Sequence, residues 1–227
     1  MGKTLLAIMV ALALVFHLRR LWLAKRALQH EVQDNANREV ASVLTNCVQM
    51  PLETVGVSTW TGTWRGERAQ VRTIVDTLAI RKLPAYWLSV TITEPVKIDA
   101  VFDMMMRPGT TTTFSNFDLL PVTLTTPADF PAEAVIRTDD PDAVLPFDIV
   151  AQHMGLFAEG RAKELLMTAN GVRIVWLLAE ADRARYGVFR QAEFGDVKLD
   201  AERISSMLAA CSALRNAVNH AARADAQ

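Results

Sequence analysis

The spacing of apolar and polar positions changes along the chain, and each change marks a new structural element. Residues 4–16 form an uninterrupted apolar run, and apolar residues then recur at helical spacings to about residue 48. This pattern predicts a long N-terminal helix stopped by Pro51, with a break near Asn35 in the polar stretch QDNANRE. From Val57 the spacing falls to two, which is typical of β-strands.

Alternating apolar positions continue through the middle of the chain. STWTGTW and AQVRTIVDTL flank the turn RGER and predict a hairpin. Asn170-Gly171, between two apolar runs, favours a second hairpin, although the residues before it also suit a helix. Further strands are predicted over 85–94, 98–106, 119–126, 132–139 and 187–194.

Two further helices are predicted towards the C-terminus. The segment 139–160 reads as helical, with Asp140 as its cap, a division at Pro146 and an end at Gly160. Asp200 caps a final amphipathic helix over 201–222, whose apolar face is Ile204, Leu208, Cys211 (or Ala210), Leu214 and Val218. Strands adjacent to strands, with segregated helices, predict an α+β fold with an antiparallel β-rich domain.

The N-terminal apolar run and the cations after it predict a membrane anchor. Residues 1–24 are expected to form a transmembrane helix, 25–50 a helical neck, 51–222 the globular domain and 223–227 a tail. The excess of cations after the run predicts an outside N-terminus and a cytoplasmic domain at a bacterial inner membrane. The predicted membrane-interface residues are Arg19, Arg20, Trp22, Lys25 and Arg26. A cleaved signal peptide is the alternative, and cations directly after the apolar core oppose it.

Composition and charge narrow the classes of partner and compartment. The 227 residues are 51% hydrophobic, which argues against a disordered chain. The net charge of −1 combines +5 over residues 1–26 with −6 over the rest, and a mildly acidic domain argues against nucleic acid as a partner. Cys47 and Cys211 are far apart and are predicted to be free thiols, with a disulfide between neck and C-terminal helix as the alternative.

The sequence contains few groups arranged for catalysis. Motifs for phosphate loops, dinucleotide binding, serine hydrolases and zinc proteases are absent. His153 has no neighbouring nucleophile, and the acidic cluster Asp139, Asp140 and Asp142 is explained by helix capping. We therefore predict no catalytic residue, no cofactor and no metal ligand.

Three functions follow as hypotheses. The first is a non-enzymatic accessory, assembly or scaffold protein of a larger inner-membrane complex, in contact with lipid and a membrane-protein partner. The second is a tethered domain that binds a ligand or lipid near Trp60, Trp64, Tyr86 and Trp87. The third is an enzyme whose acids, such as Asp99, Asp103 and Asp148, converge in the fold. The possible partner or ligand surface is Trp60, Trp64, Met104, Met105, Met106, Phe114 and Phe117, with core packing as the alternative.

Three segments carry a resemblance to known proteins. TGTWRGERAQV, EAVIRTDDPDAVLP and DAERISSMLAACSALRNAV occur in this order within about residues 58–218. In this arrangement the chain resembles a loosely defined family of uncharacterised bacterial single-span membrane-anchored proteins. The resemblance implies an anchored domain and supplies no activity and no catalytic residue.

Overall fold

An antiparallel sheet of nine strands organises the chain in the computed structural model. The structure describes residues 2–51, 54, 56–77, 83–108, 112–190 and 192–224, and in the first helix it leaves out the side chains of 2–8, 10, 11, 13, 21, 22 and 24–30. The helices are α1 (Gly2–Val43), α2 (Phe147–Ala151), α3 (Arg183–Phe189) and α4 (Ala201–Ala224). The strands are β1 (Thr45–Gln49), β2 (Val57–Trp64), β3 (Glu67–Asp76), β4 (Ala85–Ile92), β5 (Phe102–Met106), β6 (Val122–Leu124), β7 (Ala134–Thr138), β8 (Ala162–Thr168) and β9 (Gly171–Glu180).

The order of strands across the sheet is β1-β2-β3-β4-β9-β8-β5-β7-β6. Local hairpins build β1 to β4, and the β8–β9 hairpin inserts between β4 and β5. The two predicted hairpins are confirmed, and Arg65 and Gly66 turn the first with φ of 50° and 86°. The α+β class with a large antiparallel sheet is therefore correct.

The two faces of the sheet are covered differently. Alternate side chains of β3, β4, β8 and β9, among them Val71, Leu88, Leu165 and Ile174, enter the main core, where α4 packs on β4 and β9. We call this the helix face. The intervening side chains, such as Ile74, Trp87 and Val175, form a smaller cluster on the opposite side, the helix-free face. The predicted apolar stripe of α4 is confirmed, because all five of its residues are buried.

Helix α1 is continuous through the polar stretch where the sequence predicted a break. Its polar side chains bind the domain. Asn37 Oδ1 accepts from Trp60 Nε1 at 3.0 Å and Asn35 Oδ1 accepts from the Leu199 amide at 3.0 Å. Glu39 Oε2 accepts from the Ala201 amide at 3.3 Å, in the first turn of α4. The predicted break near Asn35 is wrong because these groups form tertiary hydrogen bonds.

The predicted membrane span is also wrong. Among the residues that the structure describes, no helix has a stretch long and apolar enough to cross a membrane. The apolar run ends at Phe16, and His17, Arg19 and Arg20 follow. A run of this length covers about 20 Å of helix, whereas the hydrocarbon core of a bilayer is about 30 Å thick. The predicted single-pass topology, orientation and inner-membrane location are overturned with the span.

Several smaller predictions need correction. The neck ends at Val43, and β1 replaces the helix that the sequence continued towards Pro51. The strand predicted over 187–194 overlaps α3, in which Asp182 accepts from the Arg185 amide as an N-terminal cap. The segment 139–160 contains α2 between short 3₁₀ turns, and Gly160 ends it at φ 72°. Both cysteines are free thiols, as predicted, with Cys211 buried and Cys47 half-buried.

The chain passes close to Gly62 of β2 where it leaves α1 and enters the edge strand β1. A Cβ atom at this position would lie 2.8 Å from the Thr45 carbonyl oxygen and 3.1 Å from Leu44 Cβ. The neighbouring atoms belong to backbone and to a buried side chain, so neither moves at low cost. Position 62 therefore requires a glycine, because the chain between α1 and β1 passes too close for a side chain.

We predict that Gly62→Ala lowers the free energy of unfolding by about 1–3 kcal/mol, because the added methyl group overpacks the junction. Gly187→Ala is the matched control, since this exposed glycine in α3 has no neighbouring atom within 4 Å of an added Cβ. It is expected to be neutral or slightly stabilising. Urea unfolding followed by circular dichroism measures the stability of both variants. Equal unfolding midpoints would contradict the close contact at Gly62.

Asn37→Ala is expected to cost about 1–3 kcal/mol, because it leaves the buried indole N–H of Trp60 without its acceptor. Gln33→Ala is the comparison, since Gln33 accepts at 3.3 Å from the half-buried hydroxyl of Ser58, which can turn to water. Gln33 also donates to Asn37 Oδ1 at 3.3 Å, and its loss leaves the bond from the indole to that oxygen in place. The same unfolding experiment applies. A loss at Gln33 as large as the loss at Asn37 would refute the special role of the indole bond.

Candidate functional site

The N-terminal part of α1 exposes apolar side chains along its described length. Between Met9 and Leu23 every described side chain is exposed, and the large apolar ones lie between 50% and 70% accessible. Leu12 and Phe16, four positions apart, share one side of the helix, and Leu14 and Leu18 share another. With Val15 between these two sides, the exposed apolar side chains point in several directions. A helix that is apolar all round is normally buried. We call Met9–Leu23 the exposed apolar segment.

The predicted membrane-interface residues lie at the C-terminal end of this segment and just after it, and we call them the cationic collar: Arg19, Arg20, Trp22, Lys25 and Arg26. Arg19 and Arg20 have exposed side chains. The side chains of Trp22, Lys25 and Arg26 lie outside the described part of the structure. The contact of this collar with lipid headgroups therefore stays a prediction.

The seven residues predicted as a partner or ligand surface are all buried in the domain. Trp60 and Trp64 lie on the helix face, and Met104 and Met106 join the same core. Phe114 packs on Trp87 on the helix-free face, with ring centroids 5.3 Å apart. These residues therefore pack in the core, which is the alternative that the sequence left open. Trp60 and Trp87, predicted to lie near one ligand, are on opposite faces of the sheet.

The helix-free face carries a buried group of charges. Glu164 on β8 is fully buried, and its Oε2 accepts from Arg173 Nη2 at 2.8 Å and from Arg173 Nε at 3.1 Å. Asp103 on β5 lies opposite Leu166, so it is the diagonal neighbour of Glu164 across adjacent strands. Asp103 is 2% exposed. Two buried carboxyl groups therefore lie beside one guanidinium, whose side chain is 19% exposed.

Burial sets the protonation of this group. It raises the pKa of Asp103 to about 8, the charge of Glu164 acts in the same direction, and Arg173 opposes both. Burial also raises the pKa of Glu164, against the lowering effect of Arg173. Because Arg173 bonds directly to Glu164, we assign the negative charge to Glu164 and the proton to Asp103 at neutral pH.

Residues 112–120, which we call the cover segment, lie over this part of the sheet. Its own side chains Phe114 and Phe117 are buried, and a hydrogen bond from its Ser115 lowers the pKa of Glu164. Arg137 Nη1 donates to the carbonyl oxygens of Phe117, Asp118 and Leu120 at 3.2–3.4 Å. Three buried atoms of the face lack a hydrogen-bond partner among the described residues: Trp87 Nε1, Asp103 Oδ1 and Glu164 Oε1.

The acids named from the sequence are only partly brought together. Asp103 joins a buried carboxyl pair, but its partner is Glu164, which the sequence did not single out. Glu164 lies in a strand with mostly buried positions, and a charged residue at one of them is the feature of the sequence that could have pointed to it. Asp139 accepts a hydrogen bond from the Val101 amide and Asp140 accepts one from the Asp142 amide, so both carboxylates stabilise the local backbone. Burial lowers the pKa of His153, at the start of a 3₁₀ turn.

A cleft of about 400 Å³ opens beside β1 and β2. Its lining includes Thr61, Thr63, Arg68 and Thr93. Arg68 pairs with Glu94 at 3.0 Å, and Thr63 bonds to Thr45 through their hydroxyl groups at 2.6 Å. The cleft lies away from both the buried charges and the exposed apolar segment.

Comparison with known proteins adds one structural likeness. No protein-family profile matches the chain, and no curated protein matches it. The crystal structure of the mycobacterial trehalose monomycolate transport factor A is similar with a TM-score of 0.38 and 11% identity, over 75% of this chain and 78% of that one. A likeness at this level carries no argument about function. The resemblance to membrane-anchored bacterial proteins stays a prediction.

We predict that Arg173→Leu destabilises the domain by roughly 3–5 kcal/mol at pH 8, because it leaves the Glu164 carboxylate buried without a partner. The loss is expected to shrink at pH 5. Without Arg173 the pKa of Glu164 rises further in the folded state, so stability falls as pH rises from the unfolded pKa to the folded one. Denaturant unfolding at both pH values measures this change.

Arg68→Leu is the control for this variant, because it breaks an exposed ion pair and is expected to have a small effect that does not depend on burial. The double variant Glu164→Leu with Arg173→Leu is expected to recover most of the loss, since no charge is left buried. A loss at Arg173 that is the same at pH 5 and pH 8 would disprove the assignment of charge to Glu164.

Proposed function

We propose that this chain is an accessory or scaffold protein that binds a protein partner through the exposed apolar segment of α1. The observation that carries the proposal is the accessibility of that segment, in which Phe16 is 70% and Leu12 is 64% exposed. Contiguous apolar surface of this kind marks an interaction site. The partner would bury these side chains and gain about 25 cal/mol per Å² of apolar area.

The attachment of α1 to the domain supports a scaffolding role. The base of the helix is fixed by hydrogen bonds that Asn35, Asn37 and Glu39 accept from the domain, and by the buried side chains of Ala36 and Val40. A continuous helix links this base to the exposed apolar segment. A partner bound to the segment would therefore be held at a defined distance and orientation from the sheet.

The chemistry of the segment describes its partner. Apolar side chains on several sides of a helix require a groove or bundle that surrounds it, in preference to a flat surface. Arg19 and Arg20 lie at one end of the segment and are exposed. The partner is therefore expected to carry carboxylates at the corresponding end of an apolar groove.

A photo-crosslinking residue at position 16, in the full chain and in cells of its source, tests the proposal. The expected result is an adduct with one other protein, formed at Phe16 and not at Phe189, an equally exposed phenylalanine on α3. Adducts with a second copy of this chain or with lipid alone would contradict the proposal, as would the absence of any adduct.

Binding of the purified partner then separates the segment from the rest of the surface. Leu12→Gln with Phe16→Gln is expected to weaken binding at least about tenfold, because both apolar contacts are lost. Val188→Gln with Phe189→Gln is the matched control, with two similarly exposed apolar side chains on α3. Equal affinities of the two double variants would mean that the partner binds elsewhere.

A further inference from the structure

Arg137 and Asp103 stand opposite each other on neighbouring strands without neutralising each other. The two residues form a register pair of β5 and β7, on the helix-free face. Directly opposed side chains lie within about 5.5 Å at their Cβ atoms, close enough for an ion pair. Arg137 Nη1 instead donates to three carbonyl oxygens of the cover segment, and its guanidinium lies 5.2 Å from the ring centroid of Phe117.

The carboxyl group of Asp103 is left with an unused oxygen. Its Oδ1 is buried and has no hydrogen-bond partner among the described residues. The charged groups that face it are Arg137 on β7, Glu164 on β8 and Arg173 on β9, while the cover segment brings the hydroxyl of Ser115 to Glu164. Arg173 is engaged by Glu164, so Arg137 is the cation available to an ionised Asp103.

We propose that the cover segment is a proton-linked lid, which opens when Asp103 loses its proton and Arg137 turns from the lid carbonyls to the new carboxylate. In the closed state Asp103 is neutral and Arg137 holds residues 117–120 on the sheet. In the open state Asp103 is solvated and ionised, and the lid has lost the donor that held its carbonyls. Opening uncovers Trp87 and the buried carboxyl pair.

The linkage fixes the direction of the pH dependence. The pKa of Asp103 is about 8 in the closed state, because the group is buried beside Glu164. In the open, hydrated state the pKa returns towards about 3.9. Opening therefore releases a proton between these values, and the opening equilibrium rises with pH by up to about tenfold per unit until about pH 8, where it levels off.

Hydrogen exchange of the full chain, read by mass spectrometry, tests the lid. Exchange of residues 112–120 is measured between pH 6 and 8 and corrected for the chemical exchange rate, with β9 as the internal reference. The lid is expected to lose protection by up to about tenfold per pH unit, while β9 does not follow it. Asp103→Asn, which cannot ionise, is expected to remove this dependence. Asp118→Asn, an exposed acid of the lid itself, is expected to keep it.

Either of two results would overturn the lid. One is a corrected exchange rate of residues 112–120 that is the same at pH 6 and pH 8 in the unchanged protein. The other is a pH dependence that persists in Asp103→Asn.

Arg137→Gln provides a second, independent reading if Asp103→Asn does not fold. It removes the charged donor to three lid carbonyls, so residues 112–120 should lose protection at every pH while β9 keeps its own. Unchanged protection of the lid in Arg137→Gln would equally refute the proposal.

Discussion

The hydrogen bond from the Trp60 indole to Asn37 is the contact on which the arrangement of the chain depends. It joins the longest described helix to β2, the second strand from one edge of the sheet, and the Trp60 ring is buried on the helix face. The same helix binds the start of α4 through Asn35 and Glu39, so α1, α4 and the sheet share one polar joint. Buried polar groups specify a unique geometry when every member has a partner, and the three hydrogen bonds of this joint meet that condition.

The two faces of the sheet differ in what they bury: the helix face buries mainly apolar side chains, and the helix-free face also buries charged ones. The helix face contains a continuous apolar core, closed by α4 and the base of α1. The helix-free face instead contains Asp103, Glu164 and Arg173 under a segment with little regular structure. Burying charges here costs desolvation free energy, which is offset only when each charge has a well-placed partner.

Local chemistry explains which parts of the fold the sequence could predict. Arg65-Gly66 and Asn170-Gly171 specify tight turns by themselves, so both hairpins were predictable. The pairing of β5 with β8 was not, because the insertion of the β8–β9 hairpin beside β4 is a tertiary arrangement. The partnership of Asp103 with Glu164 depends on that pairing and was hidden for the same reason.

Errors in the helices have a related origin. The polar stretch QDNANRE looked like a weak point because its side chains have no local partner, whereas in the fold they bind the sheet and α4. The apolar run predicts a span only when the helix is counted past Arg19 and Arg20, whose long side chains can reach the headgroups. The described helix is not long and apolar enough for this role. Both errors come from reading a helix without its surroundings.

The continuity of α1 also makes it a mechanical lever. From the joint at Asn37 to Met9 the helix extends about 42 Å. A rotation of about 5° at the joint would displace the far end by roughly 4 Å, by the geometry of a rigid rod of that length. Small rearrangements of Asn37 and Glu39 are thereby amplified into movements the size of a side chain at the opposite end.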